Sequence, residues 1–281
     1  MKRFVTIIIT IITFTNCSVK REIYSNMTTH RWETVDAFKE IITLANLDGA
    51  ILIYDTDKDL FYSNDFVKAK KGQLPASTFK IINSLIAFET GVVRNDSTVI
   101  KWDGEKRYLK VWEQDLLFRD AFKYSCVPCY QKIAREIGVE RMNHYVKEAH
   151  YGKMDINEST IDHFWLNGKS RITPFQQIAL LRKLYDSQLP FSSRSQSLVR
   201  QIMVMQKNEE IVLSGKTGWS IDNNHNNGWF VGRLKTTDNT YFFAVNVSPD
   251  DRYDIKNFST DRKKITFAAF QAKGIINKDM L

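Results

Sequence analysis

Alternating apolar and polar positions mark strands at Gly49–Asp55 and Leu60–Ser63, and again at Ile211–Trp219, Gly228–Leu234 and Tyr241–Val247, with turn residues between them. Between these two groups the period changes. Ile81, Ile82, Leu85, Ile86 and Phe88 recur at helical spacing and predict a buried helix over Ser77–Thr90, with Pro75-Ala76 just ahead of it. Asp115–Tyr124, Pro128–Ile137, Glu140–Ala149, Pro174–Ser187 and Arg194–Met205 read as a helical block, and Ser259–Lys273 as a closing helix. No repeat or low-complexity tract is present. Early and late strands around a helical block predict an α+β fold: a central antiparallel β-sheet flanked by helices, with an inserted, mostly helical lobe.

The 281 residues, 43% of them hydrophobic, suffice for one large core. At the N-terminus, Lys2 and Arg3 precede the mostly apolar run 4–14, which is too short for an ordinary transmembrane span and reads as an export signal over residues 1–16. Cys17 follows it directly and resembles the lipidated first residue of a bacterial lipoprotein, although Asn16 stands where a small residue is usual. Cleavage without lipidation is the rival reading. Residues 17–281 then form a single catalytic domain, exported to a bacterial periplasm and, where Cys17 is lipidated, anchored at a membrane through it. The formal charge of +8 falls to +6 without Lys2 and Arg3. No zinc-finger spacing occurs, and no concentrated basic run beyond Lys68-Ala69-Lys70-Lys71, so nucleic acid is not an expected partner. A modest positive field suits an anionic small molecule.

Candidate chemistry begins at Ser77-Thr78-Phe79-Lys80. Residues i and i+3 share a helix face, so the Lys80 amine can reach the Ser77 hydroxyl. A serine is a poor nucleophile until a nearby base takes its proton, and unpaired N–H groups at a helix start favour a developing oxyanion. Lys216-Thr217-Gly218 lies far along the chain, and Ser125-Cys126-Val127 lies between the two. Each motif alone is weak.

Jointly they are specific. Leu74–Ile81, Lys123–Gln131, Phe164-Trp165-Leu166-Asn167-Gly168 and Lys216-Thr217-Gly218-Trp219 resemble, in order, the motifs of the class D β-lactamases, the oxacillinases. The resemblance runs from about Asp48 to Thr266. It implies the same architecture, with the site where sheet and helical lobe meet. It implies Ser77 as the acyl-accepting nucleophile, Lys80 as a base carboxylated by carbon dioxide, Ser125 as a proton relay and Lys216 as the charge supporting it. Thr217 and Arg262 would bind the substrate carboxylate. The backbone N–H groups of Ser77 and Trp219 would form the oxyanion hole, and Gly218 would let the strand approach the substrate. Trp165 would hold the carbamate through its indole N–H, with Phe79, Val127 and Leu166 as apolar walls and Trp112 and Leu166 shaping the outer pocket. The implied substrate is a penicillin-type β-lactam, with no metal and no cofactor other than carbon dioxide or bicarbonate. The sequence assigns no oligomeric state.

One departure is Tyr151-Gly152-Lys153, where the family often carries Tyr-Gly-Asn. The alternatives are a sensor domain or a transpeptidase-like protein, either of which acylates and then deacylates slowly. Such receptors carry several membrane helices and a metalloprotease segment; this chain has one short apolar run and no H-E-x-x-H. Cys126-Val127-Pro128-Cys129 resembles a redox motif, but no βα pattern leads into it. Reduced thiols packed as small apolar groups are expected, because an i,i+3 bridge within a helix is strained.

Overall fold

The chain divides into two units, Met1–Arg31 and Trp32–Leu281. The computed structural model describes residues 30–277, so the expected export segment and Cys17 lie outside the described residues. The sheet is built from β1 (Arg31–Thr34), β2 (Leu47–Asp55), β3 (Leu60–Ser63), β4 (Val204–Lys207), β5 (Ile211–Asp222), β6 (His225–Thr236) and β7 (Thr240–Pro249). Their spatial order is β1-β3-β2-β7-β6-β5-β4. The pairings of β2 through β7 are antiparallel, with Ile51 opposite Val245 and Thr217 opposite Phe230. Early and late strands thus meet at the β2–β7 seam, as the strand pattern requires.

One face of the sheet is covered by α1 (Asp36–Leu44) and the closing helix α8 (Phe258–Ala272). Ile51, Ile53, Phe230, Phe243 and Val245 pack there with Phe38, Phe258, Ile265 and Phe270, all at most 5% exposed. Burying each such side chain contributes roughly 1.5–3 kcal/mol. Gly228 lets α8 approach: a Cβ there would lie 2.5 Å from Phe258 Cζ. The other face carries α6 (Pro174–Tyr185), which starts at a Thr173/Gln176 capping box with Pro174 in its first turn.

The helical lobe consists of α2 (Lys80–Glu89), α3 (Phe118–Lys123), α4 (Val127–Ile137), α5 (Val139–Glu148) and α7 (Ser193–Ile202). Helix α2 is its axis and is buried from Lys80 through Phe88. It packs against α4, α5 and α7.

Three expectations change. The α-helix expected from Ser77 begins at Lys80; Ala76–Phe79 is a 3₁₀ turn. The left-handed Ala76 (φ +50°) bends the chain into it, and the Ala76 N–H is bonded to Trp165 O instead of a preceding helical carbonyl. The helix expected to reach Met205 stops at Ile202, because Val204–Lys207 pairs with β5. The Asp115–Tyr124 helix is shorter, since Leu116–Leu117 pairs with Val99–Ile100 before α3 begins. Strand β1 and helix α1 were not among the predicted elements.

Candidate active site

Ser77 sits on the 3₁₀ turn and is 6% exposed. The turn is held from both sides. Asn227 Nδ2 and Trp229 Nε1, both on β6, donate to Leu74 O at 2.9 and 2.8 Å. Ala76 N–H donates to Trp165 O at 2.8 Å. Thr78 Oγ1 donates to Pro75 O at 2.6 Å and accepts from Gln177 Nε2 of α6 at 2.7 Å. Lys80 opens α2 one turn later and donates through Nζ to Ser77 Oγ at 2.9 Å.

Lys80 is fully buried. Its Nζ lies 5.1 Å from the face of Tyr130, and Tyr130 is tied to α2 by a 2.8 Å hydroxyl–hydroxyl bond to Ser84. Burial, aided by the nearby Lys216 charge, holds the Lys80 amine well below the ordinary lysine range. Among the described residues, neither lysine forms an ion pair with a carboxylate. Trp165 is buried and stacks on Phe79 with centroids 5.2 Å apart. Its indole Nε1 is buried without a hydrogen-bond partner. An orphaned buried donor of this kind is fitted to bind an anion.

Ser125 and Lys216 come together from two elements, the end of α3 and strand β5. Lys216 projects from β5 and donates to Ser125 Oγ and Thr217 O, each at 3.0 Å. Burial, with a contribution from Arg262, pushes the Lys216 ammonium down to about 7. Ser125 is left-handed (φ +55°), which turns its side chain out of α3's C-terminus toward β5. Strand β4 pairs with β5 only as far as Ser214. Beyond it β5 runs against the Ser77 turn so closely that a Cβ on Gly218 would lie 3.2 Å from the nitrogens of Ser77 and Thr78.

Arg262 of α8 reaches the same strand. It donates through Nη1 to Gly218 O and through Nε to Phe258 O at 2.8 Å. Val127 and Leu166 are partly buried, as is Trp219, whose indole donates to Asn226 Oδ1 at 2.9 Å. Trp112 is anchored by its indole to Tyr124 O at 3.0 Å, one residue before Ser125. Lys153 pairs through its backbone with Arg171. Tyr130, Ser84, Gln177, Asn227 and Trp229 support the site and were not singled out in the sequence. Ser84 could have been found from its i+4 spacing to Lys80.

The cysteine expectation is corrected. Cys126 and Cys129 form a disulfide, with Cα atoms 5.4 Å apart. Cys126 is the N-cap of α4, with extended ψ of 104°, so only Cys129 lies within the helix. From that cap position Cys126 Sγ sits on the Cys129 N–H at 3.2 Å, and the two side chains converge. Among the described residues no His, Cys, Asp and Glu cluster could hold a metal ion.

Residues 42–269 match the family model of the penicillin-binding protein transpeptidase domain. The chain is 39% identical to β-lactamase OXA-48 of Klebsiella pneumoniae over 77% of this chain and 81% of that one. It resembles the class D β-lactamase YbXI from Nostoc with a TM-score of 0.80 and 41% identity, covering 85% of this chain and 99% of the other. FUS-1 (OXA-85) from Fusobacterium nucleatum, a class D β-lactamase, aligns with a TM-score of 0.81 and 38% identity over 87% and 100% of the two chains.

Proposed function

The chain belongs to the class D β-lactamase family, and from that membership we propose that it hydrolyses the amide bond of penicillin-type β-lactams through an acyl-enzyme on Ser77. The observation that carries this is the pair of contacts converging on one cleft: Lys80 Nζ to Ser77 Oγ at 2.9 Å and Lys216 Nζ to Ser125 Oγ at 3.0 Å. Ser77 Oγ attacks the lactam carbonyl. The backbone N–H groups of Ser77 and Trp219 take the developing oxyanion. Ser125 delivers a proton to the leaving nitrogen, and Lys216 polarises it. Thr217 and Arg262 orient the substrate carboxylate beside β5.

We further propose that Lys80 is carboxylated by carbon dioxide. A neutral, buried amine is the form that attacks carbon dioxide, and the orphaned Trp165 Nε1 supplies a donor for the resulting anion. As a carbamate, Lys80 supplies an anionic base beside Ser77, first for the hydroxyl and then for the deacylating water. Export, lipidation of Cys17 and protection of a bacterium against β-lactams complete the proposal.

Steady-state turnover of a chromogenic β-lactam, with mass spectrometry of the trapped adduct on Ser77, tests the reading. Many turnovers per site are expected. A stoichiometric, long-lived adduct without turnover would replace this reading by a slow-deacylating sensor or transpeptidase-like protein.

A further inference from the structure

We propose that the Cys126–Cys129 disulfide positions Ser125, and that thiol–disulfide exchange at this pair controls the acylation step; the inference rests on the proton-relay role given to Ser125 above. The bridge closes a four-residue ring that is flanked by site groups. Ser125 is bonded to the first ring residue, Val127 lies inside the ring, and Tyr130 follows it directly. Ser125 holds a left-handed backbone (φ +55°) that an L-residue adopts only at a cost. It is kept there by short-range bonds, Ser125 N–H to Phe122 O at 3.1 Å and Cys126 N–H to Ala121 O at 2.9 Å. The covalent ring fixes the next residue along. Opening it frees Cys126, whose N–H makes the 2.9 Å bond to Ala121 O, so that bond loosens and the Ser125–Cys126 turn relaxes toward an ordinary backbone. The Ser125 hydroxyl then leaves its 3.0 Å contact with Lys216.

Exchange is chemically accessible. Cys126 is buried, but Cys129 is partly exposed, so an incoming dithiol meets Cys129 first. One thiolate of the dithiol attacks Cys129 Sγ, the Cys126–Cys129 bond breaks, and Cys126 leaves as a thiolate. That thiolate stays at the helix N-terminus, on the Cys129 N–H, where positive dipole and donor favour it. The second thiolate of the reagent attacks its own mixed-disulfide sulfur and releases Cys129. The reagent is oxidised by two electrons to a cyclic disulfide; one of its two thiol protons ends on Cys129 and the other passes to solvent while Cys126 is held as the thiolate.

A positioning role differs from a merely structural one in which step it moves. Ser125 serves protonation of the leaving nitrogen, whereas deacylation depends on Lys80. The test compares the air-oxidised protein with protein reduced by dithiothreitol, using rapid mixing with a chromogenic cephalosporin. Acylation and deacylation rate constants are normalised to Ser77 sites titrated by a slow β-lactam. Reduction is expected to slow acylation about tenfold, within the range that a misplaced acid–base group costs. Deacylation should stay within twofold, and reoxidation by a small disulfide should restore the fast rate. Cys129→Ser keeps the Cys126 cap but cannot bridge; it should acylate slowly with or without dithiothreitol. Equal acylation rates in the oxidised and reduced protein, at equal titratable Ser77, would overturn the proposal. So would equal slowing of both steps. Absence of any acyl adduct in either state would instead sink the β-lactamase reading itself, and this inference with it.

Discussion

Lys216→Met is expected to change how stability depends on pH, besides impairing acylation. Methionine keeps the length of the buried stem and removes the charge. In the folded protein burial pushes the Lys216 ammonium down from 10.5 to about 7. In the unfolded chain it stays protonated to about pH 10. Between pH 7 and 10.5 the unfolded state therefore binds more protons than the folded one, and stability rises with pH in that window. Below pH 7 both states are protonated, and the penalty is constant at roughly 4–5 kcal/mol, a ceiling for a shift of this size. Raising the pH from about 7 to about 9 should relieve roughly 2 kcal/mol of it. The variant lacks this group. Its Lys80 also loses the Lys216 charge that helps to lower it, which flattens the variant's curve further. Loss of the Ser125 contact costs the variant one hydrogen bond, about 1 kcal/mol, and shifts its curve without changing the slope. Urea unfolding followed by tryptophan fluorescence at several pH values measures the difference. The wild type should gain on the variant as the pH rises, by about half to one molar in midpoint. Parallel stability curves through this window would refute a lowered Lys216.

Four further outcomes are expected. Ser77→Ala should abolish turnover and the acyl adduct while the unfolding midpoint stays near that of the wild type, since a small hydroxyl is lost at a turn held by Leu74, Ala76 and Thr78. Trp165→Phe keeps the stack on Phe79 but removes the only indole donor at that position; carbon-13 bicarbonate NMR should show reduced carbamate on Lys80, and deacylation should slow by about 10²–10⁴, as for loss of a positioned base. In degassed, mildly acidic buffer wild-type activity should fall and return with bicarbonate; indifference to bicarbonate at every pH would leave Lys80 as a plain amine. Cys17→Ser should move the protein from the membrane fraction to the soluble one, and a wild type already soluble and free of lipid mass would favour simple cleavage.

The features legible in the sequence were those written over a few residues. Ser77 and Lys80 stand three apart, so their contact follows from local geometry, even though the turn is 3₁₀ where an α-helix was expected. The strand pattern gave the antiparallel sheet because alternation is a local property. Lys216 and Ser125 are 91 residues apart, and only family resemblance linked them. The clamp on Leu74 depends on where β6 sits beside β5, a register that no local pattern encodes. Arg262 illustrates the same limit: its place under Gly218 depends on Gly228 allowing α8 to approach. The cysteines were misread for a physical reason. The strain argument holds for two residues inside a helix, whereas Cys126 is a cap with extended ψ.

The clamp on Leu74 O has a consequence for how such a molecule can diversify. The Ser77 turn is moored to the sheet by two side chains of β6, whereas the connection 91–115 carries Trp112, which is moored to Tyr124 O. Insertions or substitutions in that connection can move the Trp112 segment without tugging on Ser77. The Ser77 turn and the Trp112 segment are thereby hung on separate anchor points, and one can drift under selection while the other stays still.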